Sequence, residues 1–379
     1  MKRVLALVIL IGITGIPLFA QLGPGLGIGG WARYVFSPIG GEGVFGEVFD
    51  SENLYVYTQS RASSFFPERG KIGLATWGNS DYVGFNFDFA YQNNRLEVGD
   101  QAKIWIRLHD TLMLHAGKIQ GNALRGKIAG AQLINMEEED HIFFRFYPQF
   151  GIMADFTPID NLYFGVSIDA GSNTPRVSAS DVYGWESVSN TAGYQIGAGY
   201  QFGFGHLRAQ FIHLNSGDPA SFLYASGKPL QVAFAYTDIY NLTIELAGKY
   251  PLRMTPMSHY SGTVAAEYTF ERLSAMGRFT YMGYPHPDRK DLKDDFCIKI
   301  GSIIKYAINF PLFLGLEMSY VSDNPLTDLV DDALQIAPYL GFRYGRGEFR
   351  IGLLWHQGLK DDKPNYAFEI PLLFEARFF

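Results

Sequence analysis

One pattern recurs along this chain more than any other: an apolar residue at every second position, over stretches of about 9–11 residues. It is sustained from Lys71 onward. Val83, Phe85, Phe87, Phe89 and Tyr91 alternate with Asn86 and Asp88, and Ile104, Ile106 and Leu108 with Lys103 and Arg107. Over Phe143–Thr157, Phe144, Phe146, Phe150, Ile152, Ala154 and Phe156 face away from Arg145, Gln149 and Asp155. The second half is cleaner: Leu242, Ile244, Leu246 and Tyr250 oppose Glu245 and Lys249, Phe279 and Tyr281 oppose Arg278, and Ile298, Ile300 and Ile304 oppose Lys299 and Lys305. Leu314, Leu316 and Met318 oppose Glu317, while Phe349, Ile351, Leu353 and Trp355 oppose Arg350 and His356. Side chains of a strand point alternately to its two faces, so each stretch reads as a strand with one greasy and one charged face. No run of helical period has comparable length. The fold class this predicts is all-β.

Composition narrows the class further. The length, 379 residues, could hold two or three ordinary domains, but β-barrels run long as one. Mean hydropathy is −0.01, too low for a helical membrane protein. The net charge of −7 argues against a nucleic-acid partner. Cys297 is the single cysteine, which excludes an internal disulfide and a cysteine metal cluster. Residues 1–20 read as a secretory signal: Lys2 and Arg3, an apolar core Val4–Ile16, then Pro17 to Ala20 and a cut before Gln21. That core is shorter than the roughly 20 residues of a helical span. The expected mature chain, residues 21–379, is exported as one domain.

The connections alternate in length. Short ones are Gly78–Asp81, Asp110–Thr111, Pro158–Asn161, Gly203–Gly205, Asp238–Tyr240, Glu271 and Gly345–Arg346. Long ones are Asn93–Asp100, Gln120–His141, Ser172–Asn190, Asn215–Pro229, Pro251–Ser258, Tyr284–Asp294, Ser322–Ala333 and Gly358–Asn365. Strands of spanning length, short turns on one side and long loops on the other are the marks of a transmembrane antiparallel β-barrel whose short side is periplasmic. Tyr, Phe and Trp near strand ends fit interfacial girdles. The count comes to about 18 strands, with 16 or 20 open because Pro38–Gly70 is either a long loop with a small hairpin or two further strands. A secreted β-sandwich would use the same alternation with its apolar face buried. In a barrel the apolar stripe must face lipid, since one charge there near mid-bilayer costs roughly 2–4 kcal/mol.

The last stretch, Tyr366–Phe379 (YAFEIPLLFEARFF), sets Phe368, Ile370, Leu372, Phe374 and Phe378 against Glu369, Glu375 and Arg377. It resembles the C-terminal strand of Gram-negative outer-membrane β-barrels, which ends in Phe and carries an assembly signal. The resemblance implies that Phe374, Phe378 and Phe379 are read by the barrel-assembly machinery, although Phe379 falls one step off the apolar register. The stretch DTLMLHAGK followed by the long loop Ile119–His141 resembles the strand, Gly-Lys and long loop of porins. The loop so placed would fold inward and narrow a channel, with Arg125, Lys127, Glu137, Glu138, Glu139 and Asp140 at the constriction. The other reading of this loop is a surface one, with a solvated or cation-binding acidic tip.

The charged faces supply the remaining pore-lining candidates: Lys103, Arg107, Arg145, Arg208, Arg272, Arg278, Lys299, Lys305, Arg343 and Arg350 among cations, and Asp88, Asp155, Asp169, Glu245, Glu267, Glu317, Glu348, Glu369 and Glu375 among anions. Such mixed signs fit a polar pore without a firm ion preference, and many of these charges can instead pair across strands and hold the wall. No zinc-type HExxH, nucleophile elbow or P-loop occurs, and Asp323–Asp332 lacks the spacing of an EF-hand. No cofactor, metal or catalytic residue is implied. The expected activity is passive diffusion of small hydrophilic solutes or ions through the outer membrane, with membrane lipid and the assembly machinery as partners and a homotrimer possible in principle. A plugged barrel for apolar solutes such as fatty acids, a barrel enzyme and a surface adhesin are the alternatives.

Overall fold

The computed structural model describes residues 26–42, 71–92, 95–119, 121, 124, 151–169, 193–213, 229–252, 260–283, 296–322, 333–358 and 365–378. Nineteen strand segments follow in order: β1 (Leu26–Glu42), β2 (Lys71–Asn79), β3 (Val83–Gln92), β4 (Arg95–His109), β5 (Leu112–Lys118), β6 (Gly151–Ile159), β7 (Leu162–Asp169), β8 (Gly193–Phe202), β9 (Gly205–His213), β10 (Pro229–Ile239), β11 (Leu242–Pro251), β12 (Tyr260–Phe270), β13 (Leu273–Gly283), β14 (Phe296–Asn309), β15 (Leu312–Val321), β16 (Ala333–Tyr344), β17 (Gly347–Gly352), β18 (Leu354–Gly358) and β19 (Asn365–Phe378). The described residues contain no helix.

Apart from β17 and β18, which do not pair with each other, every segment pairs antiparallel with its sequence neighbours, and β1 pairs with both β2 and β19, so the ladder returns to its start. β17 and β18 pair with the same two neighbours, β16 and β19, in unchanged register, so they are halves of one strand and the barrel has 18. An even number is what an antiparallel ring requires when its first and last strands also pair antiparallel.

The pleat decides the faces. Leu246, Val264 and Ile300 are each 46–49% exposed on the outside, while their sequence neighbours Glu245, Thr263 and Lys299 are at most 4% exposed within. The apolar stripe therefore faces outward, as the alternation predicts for a barrel and the reverse of a sandwich. Buried apolar clusters are small and lie on the inner side, such as Met282, Cys297 and Val321.

The short turns lie at one end. Four two-residue turns hold one residue in the left-handed region: Asn161 at φ 68°, Asn241 at 58°, Glu271 at 46° and Gly345 at 57°. Asn and Gly adopt this geometry at little cost, whereas for Glu it is unfavourable. Replacing Glu271→Asn should stabilise the barrel by about 0.5–1 kcal/mol. The measurement is the urea midpoint in lipid bilayers, which should rise; a lowered midpoint would contradict the turn geometry.

Four expectations need correction. Of the expected loop Asn93–Asp100, the described part Arg95–Asp100 is strand, because β4 begins at Arg95 and Leu96 and Val98 pair with Tyr91 and Phe89. A register shift between Phe87 and Phe89 absorbs the extra residues around Gly99, which is why the stretch looks irregular in sequence. The first strand does not stop at Ser37: β1 runs through Pro38 to Glu42, with a register shift between Phe36 and Ile39 that accommodates the proline. Pro158 and Ile159 belong to β6 rather than to the following turn. Arg272 sits exposed in a turn, its Nη1 donating to the carbonyl of Ile308 at 2.8 Å, and is not on the inner wall.

Candidate channel lumen

The inner wall falls into two regions. On β2–β5 it is partly open to solvent: Asn86, Asp88, Gln101, Lys103 and Trp105 are half-buried and Arg107 is exposed. Here the Asn86 amide donates to Gln101 Oε1 at 3.5 Å. On β8–β17 many of the inner side chains are shielded. Arg278 is 3%, Lys299 4%, Glu317 0% and Arg350 8% exposed. Each of these four has an interaction partner, so none is a bare charge in a wide aqueous bore.

A segment enters the barrel directly after β5. Ile119 and Leu124, both 1% exposed, pack with Met153, Ala233 and Ala247, inner residues of β6, β10 and β11, and Tyr163 leans on the same cluster. Local sequence permits this turn inward. Gly117 takes φ 118°, and a Cβ there would strike the carbonyl of Ala102. Opposite, Gly199 leaves the space that Leu124 fills, for a Cβ at that position would lie 2.7 Å from Leu124 Cδ2. Arg208 fixes the segment. Its Nη1 donates to the Leu124 carbonyl at 3.1 Å, and its guanidinium pairs with Glu245, both side chains being almost fully buried.

Two further polar clusters lie on the wall. His115 Nε2 is 2.8 Å from Asp155 Oδ2, and the Tyr163 hydroxyl donates to Asp155 Oδ1. Near the short-turn end, Glu348 accepts from both Arg343 and Arg350. Those two guanidinium groups each stand 5.7 Å from a ring centre, Arg343 over Phe313 and Arg350 over Tyr339.

The structure thus puts Lys103 and Arg107 on the solvent-accessible part of the inner wall, and Arg278, Lys299, Glu317 and Arg350 on the shielded part. Arg125, Lys127, Glu137, Glu138 and Arg145 lie outside the described residues, as does Phe379. Phe374 faces outward, 51% exposed. Sequence reading counted Arg208 and Glu245 only as lumen charges. Their hold on Leu124 depends on a contact 84 residues away in sequence, for which the local pattern carries no signal. Among the described residues no group of three or more His, Cys, Asp or Glu could hold a metal ion.

On the outside, Tyr82, Tyr240, Phe310 and Tyr344 are 68–82% exposed in or beside the short turns. Amphipathic rings at this level suit the boundary between hydrocarbon and water.

No protein-family model and no curated protein matches the chain. Solved structures do. OccAB4 of Acinetobacter baumannii is similar over 94% of this chain and 99% of its own, with 9% identity and a TM-score of 0.54. OprD of Pseudomonas aeruginosa is similar over 94% and 95%, with 10% identity and a TM-score of 0.52. A mutant of Rh. blastica porin is similar over 92% and 99%, with 11% identity and a TM-score of 0.50. At such identities the likeness establishes the fold, a porin-like β-barrel.

Proposed function

We propose that this protein is an outer-membrane channel through which small hydrophilic solutes or ions diffuse, narrowed by the segment that follows β5. The observation that carries this reading is the inversion of faces: a ring of paired strands with apolar residues outside and ionised ones inside. No charge-bearing lumen of this kind is needed by a soluble sandwich, and a bilayer demands that backbone polar groups be paired internally, as they are in a closed ring. The similarity to porins supports it at the level of fold.

In this reading residues 1–20 direct export and are removed, residues 21–379 form the barrel, and Phe374, Phe378 and Phe379 serve assembly. Lys103 and Arg107, on the open stretch of wall, influence which ions pass. Arg278, Lys299, Glu317 and Arg350 chiefly hold the wall. The test is conductance of purified protein in planar bilayers. Stepwise ion-conducting events are expected. Electrically silent protein that inserts correctly would overturn the reading, and lipid hydrolysis by it would favour an enzyme.

Charge reversal at the open wall gives a sharper check. Lys103→Glu should shift the cation-to-anion permeability ratio several-fold toward cations, since fixed charge in a narrow pore sets the local counter-ion population. The reversal potential in a salt gradient reads this directly. The same reversal at Lys299, buried and partnered, should alter stability far more than selectivity.

A further inference from the structure

Two indoles lie flat on the solvent-accessible part of the inner wall. Trp77 on β2 pairs with Gly27 on β1, and Trp105 on β4 pairs with Gly84 on β3. A Cβ at either glycine would meet Cε2, Cζ2 and Nε1 of its indole at nearly equal distances. Such a point lies above the plane of the ring, so each indole rests face-down on glycine backbone. Its other face is turned to the lumen, and both tryptophans are half-buried.

Two other inner rings show what such a face can hold. Phe313 lies against Gly341 and Tyr339 against Gly315 in the same way. Their second faces are taken from within the protein, by Arg343 and Arg350, each 5.7 Å from the ring centre. Among the described residues no ring or cation stands over Trp77 or Trp105.

The two indoles belong to one patch. Asn86 pairs with Trp77 on one side and Lys103 on the other, and Trp105 lies two residues along from Lys103. Two strands and two residues separate the tryptophans, roughly 12 Å between backbones by strand geometry. Around them stand the amides of Asn86 and Gln101, the carboxylate of Asp88 and the cations of Lys103 and Arg107. This mixture selects a ligand class. An organic cation suits the ring faces but meets Lys103 and Arg107. An anion suits those two but meets Asp88 and the negative faces of the rings. A wholly apolar ring strips water from the polar groups and returns no hydrogen bonds. A neutral ring with an apolar CH face and a hydroxylated rim satisfies both sets.

We infer that Trp77 and Trp105 are stacking platforms for a neutral carbohydrate chain in the lumen. Each indole takes the CH face of one sugar ring, and the side chains around it bond the hydroxyls. The platforms stand farther apart than one sugar ring spans, so an oligosaccharide engages both while a monosaccharide engages one. The inference rests on the channel reading above and gives that channel a solute class.

The full-length protein in lipid nanodiscs is titrated calorimetrically with maltotetraose, cellotetraose, glucose, sorbitol, adenosine and choline. At least one tetrasaccharide should bind, about tenfold or more tighter than glucose because two linked rings engage together. Sorbitol, which has hydroxyls but no ring, should give no heat. Trp77→Leu and Trp105→Leu should each weaken the tetrasaccharide about tenfold, whereas Phe at either position, which keeps a flat face, should cost about threefold or less. Binding of neither tetrasaccharide, equal binding of sorbitol, tighter binding of adenosine or choline, or leucine variants that bind as the wild type does would overturn the inference. Should the leucine variants fail to fold, oxidation of the wild type by N-bromosuccinimide decides. Saturating tetrasaccharide should slow oxidation of Trp77 and Trp105 about tenfold and leave Trp355, on the outer wall, unchanged; equal rates with and without sugar would overturn it. Bilayer conductance of the same protein is recorded separately. Its absence would count against the channel, whereas binding alone judges the platforms.

Discussion

Moving one positive charge by one residue, with Lys103→Ile and Ile104→Lys made together, should prevent the barrel from inserting. Composition, net charge and strand propensity barely change. Only the face changes: Lys103 is on the inner wall and Ile104 is 51% exposed on the outer one. Ile104 lies five residues from the short turn that ends β4 at His109, well inside the strand. A lysine facing lipid near mid-bilayer costs roughly 2–4 kcal/mol, a large part of the 5–15 kcal/mol that keeps a typical protein folded. Refolding from urea into liposomes, followed by the heat-dependent gel shift that barrels show, should give little folded product. The single change Lys103→Ile should fold normally, since it removes a charge from the water-accessible side. If the swapped protein inserts as well as the wild type, the outer surface does not meet hydrocarbon and the membrane reading fails.

The strand pattern was legible because it is local. Alternation at Leu242–Tyr250 or Phe296–Tyr306 depends on neighbours two residues apart, and tertiary structure left it intact. The count of 18 was within reach for the same reason. What was hidden depended on contacts between distant strands. Arg95–Asp100 looks like a polar loop because Gly99 and three charges break the alternation, yet a bulge in the pairing with β3 lets the strand continue. Nothing around Leu353 announces an interruption. Its cause is the register that brings Pro338 and Pro371 to its two sides, and neither proline is adjacent in sequence. The charges at Lys299 and Glu317 could be assigned to the inner face by parity, but their near-complete shielding could not. Parity gives the face of a residue; what covers that face is a property of the assembled barrel.

The buried pair Arg208–Glu245 allows latch and wall to be separated. Arg208→Ala leaves the Glu245 carboxylate, 1% exposed, without its guanidinium, and breaking a buried pair from one side typically costs about 3–5 kcal/mol. It also removes the donor to the Leu124 carbonyl, for about 1–3 kcal/mol more if that oxygen stays buried. This variant should therefore be strongly destabilised, with a lower urea midpoint and poor yield. Replacing both partners, Arg208→Met with Glu245→Leu, removes the charges together, a change that is often neutral or stabilising. The wall should then hold while the segment at Ile119–Leu124 loses its polar tether and keeps only its apolar contacts with Met153, Ala233 and Ala247. Single-channel recordings of the double variant should show a higher mean conductance and frequent brief closures, because the segment samples positions away from the wall. A double variant with wild-type stability and wild-type current would mean that the apolar contacts alone fix the segment. A destabilised double variant would mean that the pair supports the barrel rather than the segment. The two readouts differ because stability reports on the wall and current reports on what stands in front of it.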